Sequence, residues 1–179
     1  GAATISAARG GAARSLTVDL SATYLDWARR NFALNSLDPR HHRLLRADCI
    51  RWLREERHRR FGLVYLAPPA FSNSRRMGRD TLDVQRDHVV LIRGAARLLE
   101  TGGTLIFDCS LRRFRLDRAS LADYELTDLS RCTLPPDFVR SAASHHVWAI
   151  RPRDKGHVSA REKWRHSGPL SPQQDAAAD

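Results

Sequence analysis

The feature that most constrains the fold of this sequence is an alternation of short apolar runs with stretches of helical periodicity. Six such runs predict strands, at residues 15–19, 43–47, 61–66, 104–108, 124–130 and 145–151. Helices are predicted before and between them, at residues 2–9, 22–35, 49–56, 81–99 and 116–123, the fourth ended by the glycines at 102–103. Strands and helices that alternate at this spacing build an α/β sandwich with a mainly parallel sheet.

The length and polarity of the chain set its domain organisation. A chain of 179 residues with 42% hydrophobic residues is long enough for one core. The run FGLVYL at 61–66 is almost entirely apolar, which is typical of a strand covered on both faces. From Pro152 onward the sequence turns polar. We therefore expect one domain over residues 1–151 and a mostly disordered tail over residues 152–179.

Acidic residues follow two successive strands of the predicted sheet. Asp19 ends the first strand, and Asp48 comes after the second and directly before a helix. Ligands of parallel sheets bind beyond the carboxyl ends of the strands, so both acids are candidates for a nucleoside site. A carboxylate at Asp19 can accept hydrogen bonds from the ribose hydroxyls, and one at Asp48 from an adenine amino group. Each acid is equally explained by a local role as the cap of the helix that follows it.

The third strand leads into an unusual segment, the residues 67–71 with the sequence APPAF. The two prolines stiffen the strand exit. Phe71 offers a flat face on which a nucleic-acid base can stack, an interaction that contributes about 1–3 kcal/mol. The alternative is a rigid exit loop with Phe71 buried in the core.

Six segments together resemble one family. They are VDLSATYLDWARRNFALN (18–35), HRLLRADCIRWLRE (42–55), APPAFSNSRRM (67–77), LDVQRDHVVLI (82–92), TGGTLIFDCS (101–110) and FRLD (114–117). They are similar to class I S-adenosylmethionine-dependent methyltransferases that act on RNA, and most closely to the guanine-N7-methylating C-terminal modules of the bifunctional large-subunit ribosomal RNA methyltransferases of bacteria. FSNSRRM and DVQRDH are not general methyltransferase features. The resemblance covers about residues 1–150 and implies a Rossmann-like methyltransferase sandwich.

The resemblance implies a set of cofactor-binding residues. Asp19 matches the acid that holds the ribose of S-adenosylmethionine, and Asp48 matches the acid that contacts its adenine. Leu20 and Cys49 follow these acids directly and belong to the same implied set. Gly1 matches the end of a glycine-containing loop that surrounds the methionine part of the cofactor.

The same resemblance implies that catalysis takes place at the exit of the third strand, on Ala67, Pro68, Pro69 and Phe71. The family has an acid where this chain has Ala67. Guanine N7 carries a free lone pair and loses no proton on methylation, so alignment of the reactants supplies much of the rate. We therefore expect the missing acid to weaken the orientation of the target base. The reaction needs no metal.

A second departure concerns the family's first strand, which this sequence lacks together with most of the glycine loop. In the family that strand is central, between the strand that ends here at Asp19 and the one that ends at Leu66. We expect both neighbours to lack a backbone partner on that side, which is costly where N–H and C=O groups are buried. An N-terminal methyltransferase half or another missing segment is the expected partner.

The charge of the chain favours a polyanionic partner. The net charge is +10 and the pI about 10.8, and 28 of the 30 basic residues are arginines. Arginine binds phosphate in a bidentate fork, so ribosomal RNA is the expected partner. The arginines on the ligand side of the sheet are the candidate RNA-binding residues, namely Arg75, Arg76, Arg112 and Arg113. A solvated helix face explains the basic run at 51–60 equally well.

Other classes of protein and site are excluded by composition and spacing. The three cysteines are odd in number and far apart, which suits neither a disulfide framework nor a metal site and predicts a cytoplasmic location. No apolar run approaches the roughly 18 residues that cross a bilayer. His88 and the pair at 145–146 lack metal-ligand spacing and are expected to be core or surface histidines.

These observations lead to one expected function and one alternative. The expected function is S-adenosylmethionine-dependent methylation of ribosomal RNA, at guanine N7 of 23S ribosomal RNA. The alternative is a truncated or degenerate homologue that is not catalytic and retains at most weak RNA binding. A nicotinamide-dependent oxidoreductase is disfavoured because the sequence has no G-x-G-x-x-G motif.

Overall fold

The structure, a computed structural model, describes residues 1–72 and 82–153, with the side chains of residues 139–142 excepted. Its helices are α1 (Ala2–Arg9), α2 (Ala22–Leu34), α3 (Cys49–Glu55), α4 (Val84–Ala96) and a 3₁₀ helix at Pro136–Ser144. Its strands are β1 (Ser15–Asp19), β2 (His42–Arg46), β3 (Phe61–Leu66), β4 (Phe71–Ser72), β5 (Leu82–Asp83), β6 (Leu99–Cys109), β7 (Tyr124–Asp128) and β8 (His146–Pro152). No helix of this part of the chain has the length and apolar character needed to cross a membrane.

The N-terminal elements form a small layered unit around the parallel pair β1–β2. The pairing runs in register from Ser15 beside His42 to Asp19 beside Arg46. Helix α2 begins after Ser21, whose hydroxyl accepts a hydrogen bond from the backbone N–H of Tyr24 at 3.2 Å. The buried residues of α2 recur at helical spacing, as the sequence predicts; they are Leu25, Ala28 and Phe32.

The larger unit is a four-stranded sheet in the order β3-β6-β8-β7. Strands β3 and β6 are parallel, whereas β8 runs antiparallel to both of its neighbours. Helix α4 packs on one face of this sheet and buries Ile92 and Ala95 against Leu105, Phe107 and Ile150. The main hydrophobic core of the described residues therefore lies between α4 and this sheet.

The opposite face of β3 is more open than its apolar sequence predicts. Val64 and Leu66 pack against the core, but Leu63 is 55% exposed and Tyr65 is 48% exposed. The expectation that this strand is covered on both faces is therefore wrong for the described residues. Successive side chains of a strand point to opposite faces, so packing against α4 covers only every second residue.

The two sheets do not share a strand within the described residues. There β1 pairs with β2 alone and β3 with β6 alone, so each has one unpaired edge. This is the gap expected between the strand that ends at Asp19 and the strand that ends at Leu66. Helix α3 connects the units instead: Leu53 lies against Gly94 of α4, and its carbonyl accepts a hydrogen bond from the Arg97 guanidinium.

Helix α4 is shorter than its periodicity predicts. It ends at Ala96, and Leu99 already belongs to β6, where it pairs with Phe61. The glycines at 102–103 therefore lie inside a strand and do not end the helix. An added Cβ on Gly103 would lie 3.0–3.2 Å from three carbonyl oxygens, so this position needs glycine for a close backbone approach.

The helix predicted at residues 116–123 is wrong. The segment forms turns that are held by side chains. The Asp117 carboxylate accepts a hydrogen bond from the Ser120 N–H at 3.0 Å, and the Asp117 N–H donates to His88 Nε2 at 3.0 Å. A contact with α4 far away in sequence thus replaces the regular backbone pattern.

Candidate functional site

The carboxyl ends of β1 and β2 bring two carboxylates to one edge of the N-terminal unit. Asp19 is the last residue of β1 and pairs with Arg46, the last residue of β2. The backbone continues this pairing, because the Ala47 N–H donates to the Asp19 carbonyl at 3.1 Å. Asp48 is the next residue along, so the two acids lie on neighbouring strand exits, as the parallel arrangement predicts.

Each acid makes the local hydrogen bonds that its position before a helix predicts. Asp19 Oδ1 accepts from the Ser21 N–H at 2.7 Å. Asp48 Oδ1 caps α3 by accepting from the N–H groups of Ile50 and Arg51 at 2.9 and 3.1 Å. Among the described residues, Oδ2 of both acids makes no hydrogen bond. One oxygen of each carboxylate therefore stabilises the backbone, and the other is available to a ligand.

The thiol of Cys49 is close to both carboxylates. It is half-buried and donates to the Val18 carbonyl at 3.4 Å. Burial first, and then the charges of Asp19 and Asp48, raise the pKa of Cys49 to about 11. The thiol is therefore neutral near pH 7 and does not act as a nucleophile there. The carbonyl of Leu20, the residue after Asp19, accepts a hydrogen bond from Arg46 Nε at 3.4 Å.

Gly1 is not joined to these residues by any contact that the structure records. It is the N-cap of α1, and an added Cβ would lie 3.0 Å from Ala28 Cβ and from Phe32 Cε1 of α2. The atoms nearest to an added Cβ at Gly1 thus belong to α2. A role for Gly1 at the cofactor stays a prediction.

The exit of β3 forms a rigid and exposed ledge. Ala67 and Pro69 are exposed, and Pro68 is half-buried. The ledge ends in the short hairpin β4–β5, where Phe71 pairs with Asp83 and the Val84 N–H donates to the Ala70 carbonyl at 3.3 Å. Phe71 itself is 58% exposed. The aromatic ring is therefore accessible, and the alternative of a buried Phe71 does not hold.

A second acid, which the sequence reasoning missed, lies beside this ledge. Leu66 pairs with Phe107, so Ala67 follows next to Asp108 at the carboxyl end of β6. The Tyr65 hydroxyl donates to Asp108 Oδ2 at 2.5 Å. Burial and the Asp108 carboxylate raise the pKa of Tyr65 to about 12. Asp108 has the same position as Asp19, at the end of a parallel strand, and that signal could have identified it.

The loop after β6 carries two of the predicted RNA-binding residues. Arg112 and Arg113 are both exposed. Arg113 has a positive φ of 64°, and its N–H donates to the Ala143 carbonyl at 3.2 Å. Few residues other than glycine adopt this backbone conformation, so the loop is held in a defined and strained shape.

Two segments that carry the family resemblance meet at this loop. The Gln85 side-chain amide donates a hydrogen bond to the Arg115 carbonyl and accepts one from the Arg115 N–H, both at 2.9 Å. These two bonds connect the loop to the first turn of α4. His88, only 3% exposed, bonds the Gln85 carbonyl at 2.8 Å and stacks edge-on against Phe114. As expected, His88 is a core histidine. DVQRDH and FRLD thus form a structural clamp that positions Arg112 and Arg113.

Some predicted features lie outside the described residues. These include Arg75 and Arg76, and the tail beyond Arg153. Within residues 1–72 and 82–153, no cluster of three or more His, Cys, Asp or Glu side chains is placed to hold a metal ion. The three cysteines are free thiols.

The sequence is similar to part of two curated bacterial proteins. It is 53% identical over 152 residues to the ribosomal RNA large subunit methyltransferase K/L of Allochromatium vinosum, which covers 84% of this chain and 20% of that protein. It is 50% identical over 157 residues to the protein of the same name from Methylococcus capsulatus, covering 87% and 21%. The chain therefore spans about a fifth of the length of these relatives.

Solved structures agree on the fold. An S-adenosylmethionine-dependent methyltransferase from Streptococcus mutans superposes with a TM-score of 0.66 at 21% identity, over 82% of this chain and 40% of that one. The ribosomal protein L11 methylase of Lactobacillus delbrueckii superposes with a TM-score of 0.58 at 17% identity, over 85% and 64%. At these identities the likeness concerns the fold alone.

No family model matches the sequence. The identity to the curated relatives, the six segments and the Rossmann-like methyltransferase fold nevertheless agree with one another. The chain has the Rossmann-like fold of the class I S-adenosylmethionine-dependent methyltransferases, and over most of its length it is similar to one part of the bacterial ribosomal RNA large subunit methyltransferases K/L.

Proposed function

We propose that this chain is the part of a ribosomal RNA methyltransferase that binds S-adenosylmethionine and presents a guanine of 23S ribosomal RNA for methylation at N7. The observation that carries the proposal is the pair of neighbouring strand-end carboxylates, Asp19 and Asp48, each with one oxygen free of hydrogen bonds. Two such acceptors suit the hydroxyl and amino groups of an adenosine.

The residues proposed to bind S-adenosylmethionine carry hydrogen-bond acceptors that suit its adenosine part. Asp19 is the residue that would accept the ribose hydroxyls, and Asp48 the residue that would accept the adenine amino group. The backbone at Leu20 is fixed by Arg46, and the neutral Cys49 thiol adds no charge between the acids. S-adenosylmethionine, when bound, supplies the methyl group on a sulfonium.

The residues of the ledge would position the target base. Phe71 presents an exposed ring for stacking, and the prolines limit its movement. Asp108, held by Tyr65, lies beside the strand exit and would accept a hydrogen bond from the exocyclic amine of a stacked guanine. Guanine N7 carries a lone pair and no proton, so these residues would have to align the base with the methyl group that the cofactor would supply and would have no proton to remove.

The arginines around the ledge would hold the RNA backbone. Arg112 and Arg113 lie in a loop whose shape is fixed by the clamp to α4, and Arg75 and Arg76 follow Phe71 along the chain. Guanidinium groups bind phosphates in bidentate geometry. We further propose that other segments of the same protein, including an N-terminal methyltransferase half, act together with this chain on the ribosomal RNA.

A second candidate function is that of a non-catalytic RNA-binding homologue. Two observations favour it: Ala67 stands where the family has an acid, and β1 and β3 each have an unpaired edge beside the cofactor-binding residues. Under this proposal the arginines still bind RNA, but the carboxylate pair binds no cofactor.

One experiment separates the two functions. The chain is titrated with S-adenosylmethionine in a calorimeter and then incubated with labelled cofactor and a transcript of large-subunit ribosomal RNA. Binding followed by the appearance of N7-methylguanosine in the digested RNA is the result expected for the methyltransferase. RNA binding without any heat of cofactor binding would leave only the non-catalytic homologue.

A further inference from the structure

The loop between α3 and β3 carries a dense run of positive charge. We call residues 56–60, with the sequence ERHRR, the arginine loop. All of residues 57–60 are exposed. The loop enters β3 at its amino end, so it lies at the edge of the sheet opposite to the Ala67 ledge. The cofactor-binding residues and the ledge make no use of it.

The single acid of the arginine loop, Glu56, accepts hydrogen bonds from groups of the loop itself. Glu56 Oε1 accepts hydrogen bonds from the N–H groups of Arg57, His58 and Arg59 at 3.1, 2.9 and 3.1 Å. Its Oε2 accepts from the Arg59 guanidinium at 3.2 Å. These bonds to the carboxylate lower the pKa of Glu56. The acid therefore folds the loop into one shape and neutralises Arg59 alone.

Two other arginines of the loop are held in place without being neutralised. Arg60 Nη1 donates to the carbonyls of Arg57 and Arg59, both at 2.8 Å, and Arg57 Nη1 donates to the Glu56 carbonyl at 3.2 Å. Neither forms an ion pair with a carboxylate of the described residues. Backbone carbonyls orient the guanidinium groups but leave their full positive charge facing the solvent.

A third such arginine lies next to the loop. Arg97 follows α4 directly, and the neighbouring Leu98 carbonyl accepts from the N–H of Phe61, the residue after the loop. The Arg97 guanidinium donates to the Leu53 carbonyl of α3 and forms no ion pair within the described residues. Arg57 and Arg60 in the loop and Arg97 beside it are thus three oriented guanidinium groups without an ion pair among the described residues, and we refer to them together as the cluster.

The distance from this cluster to the ledge determines how long a ligand must be to contact both. Strand β3 has six residues, which at about 3.3 Å per residue separates the cluster from Ala67 by about 20 Å. Along one strand of a nucleic-acid duplex, with a rise of about 3.4 Å, this distance corresponds to roughly six nucleotides. A nucleotide or a very short oligonucleotide bound at the ledge does not reach the cluster.

We propose that Arg57, Arg60 and Arg97 bind the phosphate backbone of a folded RNA stem whose adjoining base is presented at the Ala67 ledge. The inference rests on the proposed function and specifies its substrate class as structured RNA. RNA is favoured over a protein partner because residues 57–60 present four basic side chains and no apolar one. Phosphate is the group that a fork of unneutralised guanidinium donors suits best.

The test compares charge variants by the salt dependence of RNA binding. The probe is a labelled RNA hairpin of about 12 base pairs, which exceeds the 20 Å span, and its binding is followed by fluorescence anisotropy at several salt concentrations. Each lost phosphate contact lowers the slope of log Kobs against log salt by about 0.7–0.9. The double variant Arg57→Ala with Arg60→Ala is therefore expected to lower the slope by about 1.5.

Two control variants make the result specific. Arg29→Ala with Arg30→Ala removes the same charge from α2, where both arginines pair with Asp26, and should change the slope far less. Arg57→Lys with Arg60→Lys keeps the charge and should retain most of the slope. The inference is overturned if the alanine variant changes the slope no more than the α2 control, or if the lysine variant loses as much as the alanine variant.

A second probe separates this inference from the proposed function. A guanine-containing trinucleotide reaches the ledge alone, so its binding should be equal in the unmodified chain and in the alanine variant. Equal losses for trinucleotide and hairpin would overturn the inference, as would a failure of the unmodified chain to bind the hairpin. The cofactor titration and the methylation assay decide the proposed function independently of both.

Discussion

The unit that carries the carboxylate pair Asp19 and Asp48 and the unit that carries the Ala67 ledge differ in how firmly they are packed. Within the described residues, the small unit of α1, β1, α2 and β2 buries Leu25, Ala28 and Phe32, and every residue of β1 is only half-buried. The four-stranded sheet with α4, by contrast, holds a continuous core that includes the fully buried Phe107 and Ile92. The two units meet mainly through α3.

This contrast indicates that the two sets of candidate site residues lie on scaffolds of different stability. The ledge lies on a scaffold with a large core, whereas the carboxylate pair lies on a two-stranded sheet with an unpaired edge. Two-stranded elements have little stability of their own in water. We therefore expect the small unit to open locally more often than the unit that carries the ledge, and to gain more stability from any ligand that joins the two units.

The largest expected effect tests the difference in packing directly. Phe107→Ala removes a side chain with 0% exposure and should lower the free energy of unfolding by about 3–5 kcal/mol in denaturant titrations. Phe32→Ala removes a side chain that is 4% exposed in the small unit. It should mainly raise amide exchange in β1 and β2 and leave the main transition in place.

Phe138→Ala is the matched control for both variants. Its side chain is 58% exposed, so the change in unfolding free energy should stay within about 0.5 kcal/mol. If Phe32→Ala shifted the main transition as far as Phe107→Ala, the two units would unfold as one, and the comparison would fail.

The next effect concerns cofactor affinity. Asp48→Ser keeps a side-chain cap on α3 but removes the carboxylate, so S-adenosylmethionine should bind about tenfold to a hundredfold more weakly, which corresponds to about 1.5–3 kcal/mol for a hydrogen bond to a charged group. Asp83→Ser makes the same exchange at the N-cap of α4 in the firmly packed unit. Calorimetry should show an unchanged affinity for that control; equal losses in both variants would argue against a cofactor role of Asp48.

A smaller gain is expected at the ledge. Ala67→Asp restores a hydrogen-bond acceptor for the target base and should raise methyl transfer about tenfold, equivalent to about 1.4 kcal/mol of activation free energy. Ala70→Asp adds the same charge three residues along and should give no gain. Rates measured with labelled cofactor and an RNA transcript check both variants. An unchanged or lower rate for Ala67→Asp would mean that the family geometry is not kept here.

The smallest effect is a pH dependence at Cys49. Its pKa is raised from 9.0 to about 11 in the folded state, so the unfolded chain loses this proton first. The contribution to stability is complete below pH 9 and is lost as the pH rises towards 11. The free energy of unfolding should therefore fall over this range in the unmodified chain, and fall less in Cys49→Ala.

Alkylation gives an independent check of the same thiol. At pH 8, iodoacetamide should modify the exposed Cys132 well before the half-buried Cys49, as mass spectrometry of the peptides would show. Added S-adenosylmethionine should slow the reaction of Cys49 further and leave Cys132 unaffected. Equal protection of the two cysteines would contradict the proposed cofactor position.

Local rules predicted the small unit well. Strand β1 has the predicted bounds, Ser21 caps α2 as expected, and Asp48 caps α3. Each of these features depends on residues within one turn or one strand of each other. The same rules failed at the end of α4, where Leu99 pairs with Phe61 in the sheet despite its helical spacing.

The larger unit shows why the remaining features could not be predicted. The position of Asp108 at a strand end could be predicted, but the hydrogen bond that Tyr65 of a neighbouring strand donates to its carboxylate could not. The role of Gln85 as a clamp depends on the backbone of Arg115, and that of His88 on Asp117. These partners are distant in sequence, and no local pattern signals them.

The sequence by itself determined the order of the longer strands and of the four α-helices, the acids at two strand exits and the proline-containing aromatic exit of β3. Those features follow from local periodicity, capping and proline geometry, which act between near neighbours along the chain. Tertiary structure alone decided which face of β3 is left open, which side chain holds the Asp108 carboxylate and which arginines of the described residues have no ion pair. The physical reason is that burial and charge pairing depend on contacts between residues that only folding brings together.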